Sequence, residues 1–169
     1  MQELWDLYDS QRRPLHRQHP RGVPLEPGTY HLLIEALVLR EDGRLLLTQR
    51  HPDKPYGLLW ECTGGSALCG EDSLSAALRE LQEETGLHFA PQQAHLLRSW
   101  QRVHSLVDSW LFLAPLDCTV RLQESEVVDY QWVDRQEMAQ LYAAGQFLPT
   151  RPDPFATYGS IFSHLLASK

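Results

Sequence analysis

Cysteine is scarce in this chain: three residues, Cys62, Cys69 and Cys118, in a sequence of 169. An odd, small number does not make a disulfide framework and fits a reducing cytoplasm. No two of them form a C-x-x-C pair, so no zinc-site spacing is present. Long hydrophobic runs are also missing. The longest apolar stretch, 32–39, is broken by Glu35 and is far too short to span a bilayer. The first residues, Gln2-Glu3-Leu4-Trp5-Asp6, have no basic segment leading into an apolar run, so no secretory signal is expected. Basic clusters are lacking as well. A net charge of −7 argues against a nucleic-acid binder or a protein of anionic membranes. It does not exclude an anionic substrate, because a bound cation reverses the local field. Internal repeats and low-complexity segments are absent.

What remains is ordinary globular composition, 43% hydrophobic and 22% charged, at a length that suits one domain over 1–169. Residues 1–29 are rich in proline and glycine but carry Trp5, Leu7 and Tyr8, which predicts a packed N-terminal arm with a short strand or cap. Residues 30–40 and 44–50 read as two strands joined by the turn Glu41-Asp42-Gly43, hence a hairpin. A loop at 51–57 leads to a strand over 58–63 that ends at Gly64-Gly65. Further strands are expected at 94–103, 109–114, 118–122 and 127–133. Helices are expected at 135–144 and 154–167, the last opened by Asp153-Pro154. This order predicts a mixed α/β domain: a core over 30–133 with helices on a central sheet, and C-terminal helices over 134–169.

The most informative stretch is 65–87. A helix is expected from Asp72 or Ser73, either of which can cap it, to Gly86, placed as a C′ glycine. Leu74, Leu78 and Leu81 share one face with Ala77. Glu80, Glu83 and Glu84 stand at i, i+3 and i+4, so three carboxylates share the adjoining face. Like charges clustered in this way call for a cation, and hard oxygen donors suit Mg²⁺, with Mn²⁺ as the alternative. Cys69, in the loop before the helix, reads as a small filler. Trp60, Trp100, Trp110 and Trp132 all fall in expected strands, where tryptophan is usually core.

Gly65, Glu71, Arg79, Glu80, Leu81, Glu83, Glu84, Gly86 and Leu87 together resemble the Nudix box, with no position departing. The resemblance implies the Nudix α/β/α sandwich with a mixed central sheet, and hydrolysis of a diphosphate joined to another group X. It implies that Glu80, Glu83 and Glu84 hold Mg²⁺, with the Gly64 carbonyl as a further ligand. It also implies that Arg79 orients a glutamate and that Glu71 fixes the box loop, although a simple helix-dipole role for Glu71 is nearly as well supported. A looser likeness, carried by residues 3–9, Arg21-Gly22, Tyr30-His31, Gln49-Arg50, Lys54 and Trp60, is to the subgroup related to isopentenyl-diphosphate isomerase. In that subgroup two acidic residues spaced like Glu124 and Glu126 sit at the metal site. Glu126 is the first choice for an extra ligand or general base, Glu124 the second, and Glu80 the rival base. His31 resembles a metal-site histidine of the subgroup, while its place at a strand start fits a hydrogen-bonded structural residue. Arg50 and Lys54, near Gly64, could contact phosphates. Gly64 stands where the isomerases carry a cysteine, which favours hydrolysis over isomerisation. A non-catalytic sensor is the third reading, and the complete box weighs against it. The expected partner is a small organic diphosphate, with the arm and terminal helix available for a homodimer.

Overall fold

A computed structural model describes residues 2–168. Its centre is β3 (His31–Arg40), a largely apolar strand of ten residues. In a strand successive side chains point to opposite faces. The even positions Leu32, Ile34, Ala36 and Val38 pack with Ala76, Ala77 and Leu81 of α1 (Ser73–Thr85). The odd positions Leu37 and Leu39 pack with Met138 of α2 (Arg135–Ala143) and with Phe155, Tyr158 and Phe162 of α3 (Pro154–Ala167). Both faces of the sheet are therefore covered, and the architecture is an α/β/α sandwich.

Strand β3 runs parallel to β8 (Ser105–Ala114) along its whole length, from His31 opposite Ser105 to Arg40 opposite Ala114. The edge strand β7 (His95–Gln101) pairs antiparallel with β8. On the other side β4 (Leu45–Arg50) pairs antiparallel with β9 (Val127–Val133) and with the short β5 (Trp60–Glu61). The remaining strand, β6 (Thr63–Ser66), lies antiparallel on β3 from Leu33 opposite Ser66 to Ala36 opposite Thr63. The sheet is thus mixed, with seven strands. Among the described residues no helix is long and apolar enough to cross a membrane.

The strands expected at 30–40 and 44–50 both form and pair antiparallel as a short hairpin, with Leu39 opposite Leu45 and the Arg40 N–H donating to the Arg44 carbonyl at 2.8 Å. Farther along β3 that edge is occupied by β6. Two other expectations need correction. The strand expected at 58–63 is split into β5 and β6, and β6 continues through Gly64 and Gly65 instead of ending there. Glycine suits this position because a Cβ on Gly64 would stand 2.6 Å from the Ile34 carbonyl oxygen. Residues 118–122 form no strand. Cys118 and Val120 pack on the core as expected of apolar side chains, but the backbone here bonds to the end of α1. The Arg121 N–H donates to the Thr85 carbonyl at 2.8 Å, and the Gln123 N–H to the Glu84 carbonyl at 3.3 Å. A strand-like composition has been used to tie the last turn of α1.

The arm folds as a two-stranded hairpin, β1 (Leu4–Tyr8) with β2 (Pro14–Pro20), in which Leu7 is fully buried. It is fastened to the loop before α1. The Cys69 N–H donates to the Leu4 carbonyl at 2.8 Å, and the Gly70 N–H to Asp6 Oδ2 at 2.7 Å. Helix α1 starts at Asp72, whose carboxylate accepts the Ser75 N–H at 2.7 Å, and ends at Gly86 with φ 67°. The left-handed residue there lets its N–H close on the Gln82 carbonyl. Trp60, Trp100, Trp110 and Trp132 lie in strands as expected, and each is only half-buried.

Leu81 is 0% exposed at the contact of α1 with the sheet. Leu81→Ala should therefore lower stability by about 2–5 kcal/mol, read from the urea midpoint. Leu116→Ala, at a side chain 60% exposed, should change it by less than about 0.5 kcal/mol. Equal effects would show that α1 does not dock through this residue.

Candidate active site

One guanidinium arranges the acidic face of α1. Arg79 Nε and Nη2 donate to the two oxygens of Glu71 at 2.7 and 3.0 Å. Its Nη1 donates to Glu80 at 2.9 Å and to Glu83 at 3.0 Å, and Nη2 also reaches the Ser66 carbonyl at 3.1 Å. The bidentate grip falls on Glu71, which also accepts the Leu68 N–H at 2.8 Å. Glu71 therefore ties the loop before α1 to the helix, beyond any helix-dipole effect. Burial alone would raise the Glu71 carboxyl, but Arg79 and the Leu68 N–H hold it below its ordinary value. Burial likewise opposes the Arg79 charge, yet the surrounding carboxylates hold this guanidinium more firmly protonated than usual.

Gly65 faces this cluster from β6. A Cβ there would overlap the Glu80 carboxylate, so only glycine lets the strand pass Glu80 in this rotamer. Glu80 is pushed upward by burial, which outweighs the pull of Arg79.

Glu84 differs from its neighbours. It is 4% exposed, and its Oε2 is buried with no hydrogen-bond partner among the described residues. Burial, with repulsion from Glu61 and Glu80, lifts its carboxyl to about 8; Lys54 offsets only part of this. An orphaned buried carboxylate oxygen is costly unless something positive meets it. The Lys54 ammonium is the nearest cation, 3.9 Å from Glu84 and in an ion pair with Glu126. Lys54 is held there by the wound loop between β4 and β5. The His51 N–H donates to the Glu126 carbonyl, Lys54 N–H to His51, and Arg50 Nε to Pro55, all at 2.9–3.0 Å.

Arg79, Glu80, Glu83, Glu84 and Glu126 line one cleft of about 200 Å³, together with Glu3, Arg21 and Gln123. Arg50 and Gly64 line a second, more open cleft of about 420 Å³. Two expected site residues are elsewhere. His31 stacks on Trp5 at 4.0 Å and meets Ser105 Oγ through Nε2 at 3.0 Å. Burial, reinforced by nearby Arg21, lowers His31 to about 4, so the ring is neutral. Glu124 is exposed and lines neither cleft. Three residues of the region carried no assignment from sequence. Glu61 is buried and paired with Arg50. Arg151 pairs with buried Glu35 at 2.6 Å, and Glu35 also accepts the Ser109 hydroxyl. A charge inside the apolar runs 32–39 and 58–62 was the available signal for Glu35 and Glu61. Nothing near Arg151 marked it.

The donor set suits a hard divalent cation. It is all oxygen, it includes the orphaned Glu84 Oε2, and it already draws in an ammonium. Among the described residues no three acidic, histidine or cysteine side chains converge on one point in the present arrangement.

The NUDIX domain family matches residues 29–151, well over half of the chain. The chain belongs to the Nudix family. An uncharacterised Nudix hydrolase of Listeria monocytogenes is 34% identical over 150 residues, covering 87% of this chain and 89% of that protein. In structure the chain is similar to a Deinococcus radiodurans protein, with TM-score 0.72, 19% identity, and coverage of 86% and 91% of the two chains. It also resembles a bifunctional NMN adenylyltransferase/ADP-ribose pyrophosphatase of Francisella tularensis complexed with AMP and manganese. There the TM-score is 0.59 and identity 20%, covering 85% of this chain and 43% of that one. As a Nudix hydrolase the chain is a pyrophosphohydrolase, acting on diphosphate linkages.

The raised Glu84 carboxyl gives this Nudix chain a definite pH signature. A folded-state value above the unfolded one contributes stability that is complete below about 4.5 and lost as pH rises through about 8. His31 acts in the opposite sense, and only below its ordinary value of 6.5. In chelator, the melting temperature should therefore fall between about pH 6.5 and 8.5 through the Glu84 contribution. Glu84→Gln should flatten this fall. Identical pH slopes in the two proteins would remove the claim that Glu84 is neutral when no cation is bound.

Proposed function

We propose that the chain is a Mg²⁺-dependent hydrolase of a nucleoside diphosphate-linked or related organic diphosphate. The observation that carries this reading is the buried, unpartnered Glu84 oxygen beside Glu80 and Glu126 in the acidic cleft. Glu80, Glu83 and Glu84 are the carboxylates offered for the cation, with the Gly64 carbonyl as a further donor. Bound Mg²⁺ supplies charge neutralisation on the phosphates and acidifies the attacking water. Mn²⁺, present in the Francisella relative's complex, has the same donor preference.

The chain's own groups do the rest. Arg79 holds the Glu80 and Glu83 carboxylates in place through its Nη1, so both are oriented before substrate arrives. Glu126 Oε2 takes the proton of the attacking water. The new bond joins that water oxygen to phosphorus, the bridging P–O bond breaks, and the proton leaves to solvent through Glu126. Lys54, held by its loop above Glu84 and Glu126, is placed to donate to a phosphate oxygen. Arg50, locked by Glu61 and the Pro55 carbonyl, presents its remaining donors to the adjoining cleft.

Isomerase chemistry is not favoured. Gly64 takes the place of the isomerase cysteine, and Cys62 is buried in the opposite core layer, its thiol pushed up by burial.

A panel of diphosphate compounds with Mg²⁺, followed by phosphate release, tests the reading. At least one compound should turn over, Glu84→Gln should reduce kcat at least about 100-fold, and Glu126→Gln should reduce it about 10²–10⁴-fold. Near-normal turnover in Glu126→Gln would exclude it as the base. No turnover of any compound would overturn the hydrolase itself.

A further inference from the structure

The two clefts are continuous, since Arg21 and Ser66 line both. Their charges are opposite. The first presents five carboxylates, Glu3, Glu80, Glu83, Glu84 and Glu126, against two arginines. The second presents four arginines, Arg21, Arg50, Arg102 and Arg151, against Glu61 alone.

These arginines are fixed to different degrees. Arg151 is 10% exposed, and its Nη1 is anchored on buried Glu35. Its Nη2 lies over Gly64, 3.1 Å from where a Cβ would be, so glycine leaves the space into which this guanidinium projects. Arg50 and Arg21 use one Nη each on Glu61 and Glu3. Arg102, in the turn between β7 and β8, has no side-chain acceptor among the described residues. Each guanidinium carries five N–H donors, more than the local carboxylates accept. A neutral X filling this cleft would strip water from those donors without offering acceptors. An oxyanion would match their forked geometry.

We propose that the arginine cleft is an anion subsite, in which Arg102 and Arg151 select substrates whose X group bears a second phosphate or a carboxylate. The scissile diphosphate lies at the glutamates, and the second anion lies beyond Gly64. This rests on the hydrolase reading for which group is cleaved, but the subsite itself is testable by binding alone.

Three pairs of diphosphates differ chiefly by one anionic group: NADP and NAD, coenzyme A and dephospho-coenzyme A, and UDP-glucuronate and UDP-glucose. Calorimetric titration in chelator, where no turnover occurs, reads their affinities. The expected result is a preference of tenfold or more for the anionic member in at least one pair, narrowed to near one by Arg102→Gln. Arg102 is a turn residue whose backbone bonds do not involve its side chain, so the variant should fold. Equal affinities within all three pairs overturn the proposal, as does a preference that persists unchanged in Arg102→Gln. Failure of hydrolysis with Mg²⁺ is a separate result. It defeats the hydrolase reading without altering these ratios.

Discussion

The site depends on one guanidinium held among carboxylates. Arg79 joins the loop before α1, the strand β6 and two glutamates of the helix, through Glu71, Ser66, Glu80 and Glu83. Without it, Glu80 and Glu83 would repel each other and Glu80, already raised by burial, would tend to protonate. With it, both are held by hydrogen bonds and one carboxylate, Glu84, is left over. Glu84 is the residue the network does not satisfy. A protein that buries an unsatisfied carboxylate oxygen beside other acids pays in stability, and such sites concentrate where a cation or substrate provides the missing partner.

The fold makes that arrangement possible by using β3 as a divider. Its even side chains take α1 and its odd side chains take α2 and α3, so the acidic helix is clamped on one face while Arg151 is brought from the opposite layer. The link between the layers is Glu35, an acid within the apolar strand, reached by Arg151 from one direction and Ser109 from another. Gly64 and Gly65 sit between the two charge systems. One admits the Arg151 guanidinium and the other the Glu80 carboxylate. The same pair of glycines therefore serves both an acidic and a basic wall.

Much of this was legible in the sequence, and for local reasons. The helix from Ser73 to Thr85, its cap at Asp72 and its stop at Gly86 follow from spacing and propensity alone. So do β9, α2 and α3, whose ends differ from expectation by a residue or less. Glu126 was accessible because its distance before a strand matched a known pattern, and it does line the acidic cleft. The misses are long-range. Whether 118–122 pairs as a strand depends on whether α1's last carbonyls are free to accept from it. Whether Gly64-Gly65 ends a strand depends on the edge β3 offers. Arg151 lies far along the chain from the box and has no local mark, so only the folded sheet brings it to Gly64. His31 was drawn toward the site by likeness, whereas burial against Trp5 and Ser105 gives it a structural setting.

On the proposed function, Glu84 is neutral in the metal-free chain and ionises when a cation binds. Calorimetric titration with Mg²⁺ at pH 7, repeated in buffers of different ionisation enthalpy, measures the protons released. With the Glu84 carboxyl near 8 in the metal-free chain, close to one proton should leave per cation bound, on the order of one as linkage requires, and Glu84→Gln should abolish the release. Binding with no proton release, or release unchanged in Glu84→Gln, would contradict the account.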